Sequence, residues 1–519
     1  MSNTTTFAND TAQNVVGWVS TSKDRGTADI VWSSCVTILL CVVVATHTSV
    51  PSREDKWYHY YIDKFNLAFL GCLGPEFLLA IALGRYLTIN THSQLFKDRP
   101  DLRNGQPWTL AHGFYSDTGG FLLITPDYPK GFPINAEQLF YLVDHGHVDF
   151  PALSEKDIKN QSRADSLSKY GHRHLVLCRR LKVLTIYRVI TLFQVLWFTI
   201  TEIRRTAAGY PMTTLELTAL TYAFIMVATS VVWYRKPSIS QPTLIHTKNY
   251  RSAWEIRNIA RSSTHPNLPI EWFRTPVDFI SRRYFHFDLH WAYYYELTYK
   301  MRLPLISRPI TARPWDRFPS NAWFPPEGWV LIAALFVQIP FSVSFLIGWN
   351  FYFASEAEKW LWRVASIYHA LFTLIGTYYY IKCIPRELLS NSPILRVMGG
   401  SNPHSCRSSH SSDDRSETFE SLQDAKENAS ESLLKSPSLV VRWYSKLSDK
   451  FKNTARNLQN LASDGDPEMT VKVQWMLPIL LPTFFYVSSR MYFFIEDFVG
   501  LREQPAEVYL TVSRFLPFV

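Results

Sequence analysis

Residues 65–89 read FNLAFLGCLGPEFLLAIALGRYLTI. A helix crosses a bilayer with about 20 predominantly apolar residues, so this run is long enough to span. Pro75, Glu76 and Arg85 interrupt its apolar character. Proline is tolerated in a span because neighbouring helices and waters satisfy the freed carbonyls. A carboxylate in hydrocarbon is expensive, so Glu76 should face the inside of a helical bundle and be either paired or protonated.

Working outward, six further apolar blocks repeat the signal: Ile30–Ala45, Val183–Ile203, Thr213–Tyr234, Gly328–Phe353, Leu361–Ile384 and Val473–Phe498. Short links make Val183–Ile203 with Thr213–Tyr234, and Gly328–Phe353 with Leu361–Ile384, antiparallel hairpins. The expectation is an all-α polytopic transmembrane helical bundle of about seven spans. Its parts are a polar segment 1–27, two spans in 28–89, an extramembrane region 90–182 and a hairpin 183–234. A second extramembrane region 235–327, a hairpin 328–384, a loop 385–472, a last span 473–498 and a tail 499–519 follow. The two long loops read as partly helical. The loop 385–472 opens on SCRSSHSSDDRSE, a composition that cannot bury a core and reads as disordered.

Mean hydropathy is only −0.07 although 47% of residues are hydrophobic, because apolar blocks alternate with polar connections. Aromatics reach 15%, and Trp and Tyr favour the membrane–water boundary. The net charge of +9 sits mostly in loops flanking the apolar blocks, which points to an anionic membrane face rather than nucleic acid. No RNA-binding, zinc-finger or helix-turn-helix pattern is present. The six cysteines form no CxxC, and four lie inside apolar blocks, so they read as small buried hydrophobes. Two indications of orientation conflict. With seven spans, Lys and Arg near the span ends favour an N-terminus inside, whereas sequons at Asn3 and Asn9 favour a lumenal or outer one.

Several fragments occur together: WTLAHGFYSDTGGF (108–121), MTTLELTALTYAF (212–224), VVWYRKP (231–237), WNFYFASEAEKWLWRVAS (349–366) and EDFVGLREQPAEVYLTV (496–512). SRADSLSKY (162–170) and DRFPSNAWFPPE (316–327) accompany them. In combination they resemble a large family of fungal multi-pass integral membrane proteins, most of them uncharacterised. The resemblance runs from about Gly17 to the C-terminus. It implies a polytopic membrane fold and brings no activity with it. The chain departs from the family pattern at Ser116-Asp117-Thr118, where an apolar residue usually precedes Gly-Gly. It departs again at Ser238-Ile239-Ser240, where an apolar residue and an acid are usual.

Glu76 is the leading candidate for chemistry, as a general acid, a proton relay or a ligand counter-ion. The plain alternative is a pair with Arg85 or Arg188, or a hydrogen bond to backbone freed by Pro75. Glu202 and Glu216 lie near span ends and read as interfacial carboxylates, with ligand binding or ion pairing as the sharper reading. Arg188 either snorkels or pairs inside the bundle. His112, in the HGFY motif, is the second catalytic candidate; equally, the motif marks a packed turn. His286, Asp288 and His290 are weak metal candidates: on a strand all three share a face, on a helix only the histidines do. His145, His147 and Asp149 form a weaker set, and His172 and His174 weaker still. No cofactor motif is present, and no GxGxxG, P-loop, HExxH or GxSxG occurs.

Three functions compete. A membrane-embedded enzyme or accessory protein would act on a lipophilic small molecule in fungal specialised metabolism, Glu76 protonating an olefin or epoxide and aromatic rings stabilising the cation. A small-solute transporter or receptor-like protein would open a polar path through the bundle. A scaffold would recruit partners through its loops. The expected location is a membrane, endoplasmic reticulum and plasma membrane being indistinguishable, and the lipid bilayer is the expected partner.

Overall fold

The computed structural model describes residues 15–20, 25–103, 105–155, 157–158, 175–237, 242–266, 268–281, 286–303, 307–322, 328–383, 450, 453–454 and 473–511. The protein is mostly helical. Three helical stretches are long and apolar enough to cross a membrane: Thr27–Ala45, Thr214–Val232 and Trp329–Asn350. A fourth candidate is the pair Trp57–Leu73 and Pro75–Asp98, bent by 116° at the break between them.

In chain order the helices are α1 (Thr27–Ala45), α2 (Trp57–Leu73), α3 (Pro75–Asp98), α4 (Leu110–Asp117), α5 (Ala136–Asp144), α6 (Leu175–Ala207), α7 (Thr214–Val232), α8 (Ala253–Ser263), α9 (His286–Lys300), α10 (Gly328–Ser344), α11 (Glu356–Cys383) and α12 (Val473–Val499). The strands are β1 (Val15–Val16), β2 (Phe121–Ile124), β3 (Phe132–Ile134), β4 (Thr243–His246) and β5 (Gln504–Pro505). A 3-10 turn, Phe345–Asn350, extends α10.

Two cores result. The first is the bundle interior, where Leu70, Leu78, Ile81, Tyr222, Met226, Phe341, Phe345, Trp362 and Phe493 pack together. The second belongs to the two long connections, which fold together. There β2 pairs antiparallel with β3 and parallel with β4, although β4 comes from the other connection. Helices α5 and α8 cover this sheet through Leu139, Leu142, Ala253 and Ile256. The mostly helical fold thus carries, in addition, a small mixed sheet that joins the two long connections. Helix α3 reaches into this second core with Phe96, which stacks on Trp108 at 4.1 Å between ring centroids.

Contacts at the two ends of the bundle order its helices. At one end β1 pairs with β5, so both termini meet there. Arg25 at the start of α1 bonds Glu216 at the start of α7 and lies 3.6 Å from Glu202 near the end of α6. Arg205 donates to the carbonyls of Val508 and Leu510, and Arg502 bonds Glu358 at the start of α11. At the other end Lys236, just past α7, donates to the carbonyl of His47, just past α1. The Ser49 amide donates to Ser320, and the Val50 amide to the carbonyl of Thr118. Arg308 there grips Asp55 and Asp63, the latter on α2, and Arg85 on α3 donates to the carbonyl of Pro319. Helix α2 thus enters from this end and α3 returns to it. The run 65–89, expected to be one continuous span, is two helices bent by 116° at Gly74.

Most of the Ser-rich loop, Asn3, Asn9, His172 and His174 lie outside the described residues, as do the side chains of Arg188, His286, Asp288 and His290.

Truncating Trp108 to Ala should destabilise the second core by about 3–5 kcal/mol through lost burial and the cavity left behind. Hydrogen exchange should then rise in residues 121–124 and 243–246 while α7 and α12 stay protected; equal loss throughout would show that the two cores do not unfold separately.

Candidate functional site

The site is built where the backbone breaks. Gly74 ends α2, with its amide donating to the carbonyl of Leu70 at 2.9 Å. A Cβ at Gly74 would lie 2.5 Å from the ring of Phe77, so only glycine fits this turn without displacing the ring. Pro75 then takes the first position of α3, where its missing N–H removes no helical bond.

Breaking a helix leaves the last carbonyls of the first half without their i+4 amides. Here side chains from two other helices supply the donors. Tyr222 on α7 donates to the carbonyl of Cys72, and Arg490 on α12 donates through Nε to that of Leu73 at 3.1 Å. Arg490 also donates through Nη2 to the Tyr222 hydroxyl at 2.5 Å. Its guanidinium lies 5.2–5.5 Å from the ring centroids of Phe345, Tyr222 and Phe341, a cation–π cage.

Glu76 occupies the first turn of α3, where the helix dipole favours a negative charge. It is 4% exposed. The Tyr486 hydroxyl donates to its Oε1, and His369 Nε2 on α11 lies 3.5 Å from the same oxygen. His369 Nδ1 faces the carbonyl of Ser342 at 3.3 Å. A carbonyl only accepts, so Nδ1 carries a proton, and Nε2 is left to face the carboxylate. Three atoms of the cluster have no hydrogen-bond partner among the described residues: Glu76 Oε2, His369 Nε2 and Arg490 Nη1.

Glu76 is therefore not paired with Arg85. Arg85 lies toward the loop-bearing end, 3.5 Å from Asp117, and Lys236 is buried close by with its ammonium 4.5 Å above the Trp233 ring. Burial first, then the Arg85 charge, pushes the Lys236 ammonium well below the usual lysine range, with Asp117 opposing. Glu202 and Glu216 come together around Arg25 at the terminal end. Glu216 completes a capping box with Thr213, accepting from its amide and hydroxyl at 2.9 Å each.

His112 is buried and fully engaged. Nε2 donates to the carbonyl of Leu153 at 2.8 Å, while Nδ1 accepts from the Thr109 amide and hydroxyl. Burial holds its pKa below the ordinary histidine value. Both ring nitrogens are thus committed to packing the HGFY helix α4 against the second core. His147 accepts from Arg251 at 3.1 Å, and Asp149 pairs with Lys248 at 2.7 Å, so these two do not converge on one point. Among the described residues no group of three or more His, Cys, Asp or Glu side chains could hold a metal ion.

Sequence reasoning missed Tyr222, His369, Tyr486 and Arg490. A signal existed for two of them: His369 in SIYHALFT and Arg490 in FYVSSRMYFF each stand as an ionisable group in an apolar run.

Residues 2–254 match a family of unknown function (DUF8562). No curated protein and no solved structure matches the chain.

Acid should loosen the second core before the bundle. Burial and the Arg251 charge push His147 down to about 4, so it is neutral when folded, and His112 is depressed as well. The stability each contributes is complete above the unfolded histidine pKa of about 6.5 and is lost as pH falls toward the folded value. Thermal midpoints of the second core should fall between about pH 6.5 and pH 4, with a shallower slope in His147→Gln. An unchanged slope would exclude His147 as its source.

Proposed function

We propose that the chain is a polytopic membrane protein with an even number of crossings, six by helices α1, α6, α7, α10, α11 and α12, and that α2–α3 is a re-entrant pair. The β1–β5 pairing supports this reading, because seven crossings would put the termini on opposite sides. Charge supports one orientation. The links at the terminal end, 208–213 and 351–355, contain no Lys or Arg. Links at the other end are basic: 46–56 carries Arg53 and Lys56, and 301–322 carries Arg302, Arg308, Arg313 and Arg317. Basic short links favour the cytoplasmic side. The loops then face the cytoplasm and both termini face the lumen or exterior, which also agrees with the sequons at Asn3 and Asn9.

The function the geometry supports best is small-solute transport with a proton held at Glu76–His369. The carrying observation is the re-entrant pair, which sets the start of a helix and a buried carboxylate at the depth of residues 222, 369 and 486, near the middle of α7, α11 and α12. Non-helical backbone at membrane depth is tolerated where protein buries it, and half-helix ends there are the usual material of solute sites. The enzymatic reading for a lipophilic substrate draws on the same acid. It is weakened because the rings that would stabilise a substrate cation already enclose Arg490.

Tags at the two ends should be protected from protease together in sealed vesicles, and Asn3→Gln with Asn9→Gln should remove an N-glycan. Opposite protection of the ends would exclude six crossings. For the function, Glu76→Gln and His369→Gln in the native host should leave membrane abundance near normal and shift small molecules between cells and medium. Normal abundance with an unchanged distribution would leave the scaffold reading in its place. Lost abundance in both variants would make the cluster a structural staple.

A further inference from the structure

At the loop-bearing end of the bundle a narrow cleft lies between α2 and residues 307–321. It encloses about 290 Å³, counting the part open to solvent, and shares no residue with the Glu76–His369 cluster. Its charged walls are already matched. Arg308 donates to both oxygens of Asp55 and of Asp63 at 2.5–3.0 Å. Arg317 donates to the carbonyls of Arg308 and Pro309 and pairs with Asp316. The walls therefore hold no unmatched charge for an ionic ligand.

What the cleft offers instead is amide. Asn66 on α2 is 4% exposed and Asn321 is 2% exposed. Nδ2 of Asn66 and both Nδ2 and Oδ1 of Asn321 have no hydrogen-bond partner among the described residues. Buried polar groups are bonded in the great majority of cases, so three such atoms lining one cleft call for a cause. A loose turn is not that cause, because the turn carrying Asn321 is held from outside. Arg85 on α3 donates to the Pro319 carbonyl at 2.8 Å and the Ser49 amide to Ser320 Oγ at 2.8 Å. Trp291 on α9 donates to the Asn321 carbonyl at 2.9 Å. The backbone that presents the Asn321 carboxamide is thus fixed, which is how binding groups are preorganised.

We infer that this cleft binds a small uncharged molecule carrying an H–N–C=O group, such as a simple carboxamide or urea. A carboxamide is its own complement: Asn321 Oδ1 accepts the ligand N–H while Nδ2 donates to the ligand oxygen. Exchanging oxygen and nitrogen at Asn321 leaves the same pair of roles. Asn66 Nδ2 supplies a further donor for the second lone pair of the ligand oxygen. A carboxylate of the same shape sets an oxygen against Asn321 Oδ1, and an amidinium sets an N–H against Nδ2, so both charged isosteres are refused.

The test uses the purified full chain in nanodiscs at about pH 8 with three isosteric probes: acetamide, acetate, ionised there, and acetamidinium. Thermal midpoints are read against probe concentration, since a ligand of the folded state raises them saturably. Acetamide alone should stabilise wild type. Asn66→Leu should weaken its binding about tenfold, and Asn321→Leu should abolish it. Without probe, both variants should match or exceed the wild-type midpoint, because an apolar side chain replaces a polar one that has no partner. Asn321→Asp presents two acceptors and should switch the preference to acetamidinium, and it carries the test if a leucine variant fails to fold. Stabilisation of wild type by acetate or acetamidinium would overturn the uncharged ligand. An acetamide response unchanged in Asn321→Leu would overturn the site, and no saturable response to acetamide would overturn the inference outright. Lower midpoints in both leucine variants, with no switch in Asn321→Asp, would mark the amides as structural and overturn it equally. All of these outcomes are independent of transport at Glu76–His369, which is read from the solute distribution.

Discussion

The capping of two carbonyls inside an apolar bundle is the constraint on which the rest of the structure depends. Where α2 stops at Leu73, the carbonyls of Cys72 and Leu73 have no helical amide to turn to. An unsatisfied backbone group in such surroundings costs several kcal/mol. Tyr222 and Arg490 remove that penalty, and the Arg490 charge then has to be balanced in turn. Glu76 can serve because Gly74 and Pro75 start a new helix there, and the N-terminal turn favours its carboxylate. His369 and Tyr486 complete the balance from α11 and α12. One break in the backbone therefore recruits side chains from three of the surrounding helices.

Stability alone does not call for such a cluster. Buried ion pairs are commonly matched or bettered by well-packed apolar residues of the same volume, because desolvation offsets the attraction. A continuous α2–α3 helix would need no capping at all. The polar centre instead exists because the backbone turns, and the turn brings the start of α3 to the depth where the spans are most apolar. By contrast, the clusters at the bundle ends have evident structural work. Arg25, Glu202 and Glu216 tie α1, α6 and α7, and Arg85 with Asp117 ties α3 to α4.

Much of this was legible in the sequence, and the remainder was hidden for definable reasons. A carboxylate in FLGCLGPEFLLA identifies itself, since hydrocarbon tolerates it only inside a bundle. Its partner did not. Arg85 is the nearest cation in sequence, but nine residues of helix carry it about 13 Å away. The real partners lie on α11 and α12, and no local spacing connects them to α3. The Gly74-Pro75 dipeptide was a turn signal inside an apolar run, and hydropathy alone reads straight through it. The strands FLLI and FPI are too short for alternation to register, and their parallel partner TLIH comes from the other long connection. His112 illustrates the opposite case: a histidine in a motif invites chemistry, yet both its nitrogens are consumed by Thr109 and Leu153.

On the six-crossing proposal, the break at Gly74 also removes the orientation conflict. Counting residues 65–89 as a span makes the crossings odd, separates the termini and sets the charge rule against the sequons. On the six-crossing proposal, removing that one crossing makes the count even, in keeping with the pairing of Val15 with Pro505. Every long basic connection then falls on one side, and the two links without Lys or Arg fall on the other with the termini. The positive-inside bias and the sequons now agree without adjustment to either. The same local feature, a glycine whose Cβ would meet the Phe77 ring followed by a proline at a helix start, thus governs the polar centre and, on the six-crossing proposal, the placement of the whole chain in the bilayer.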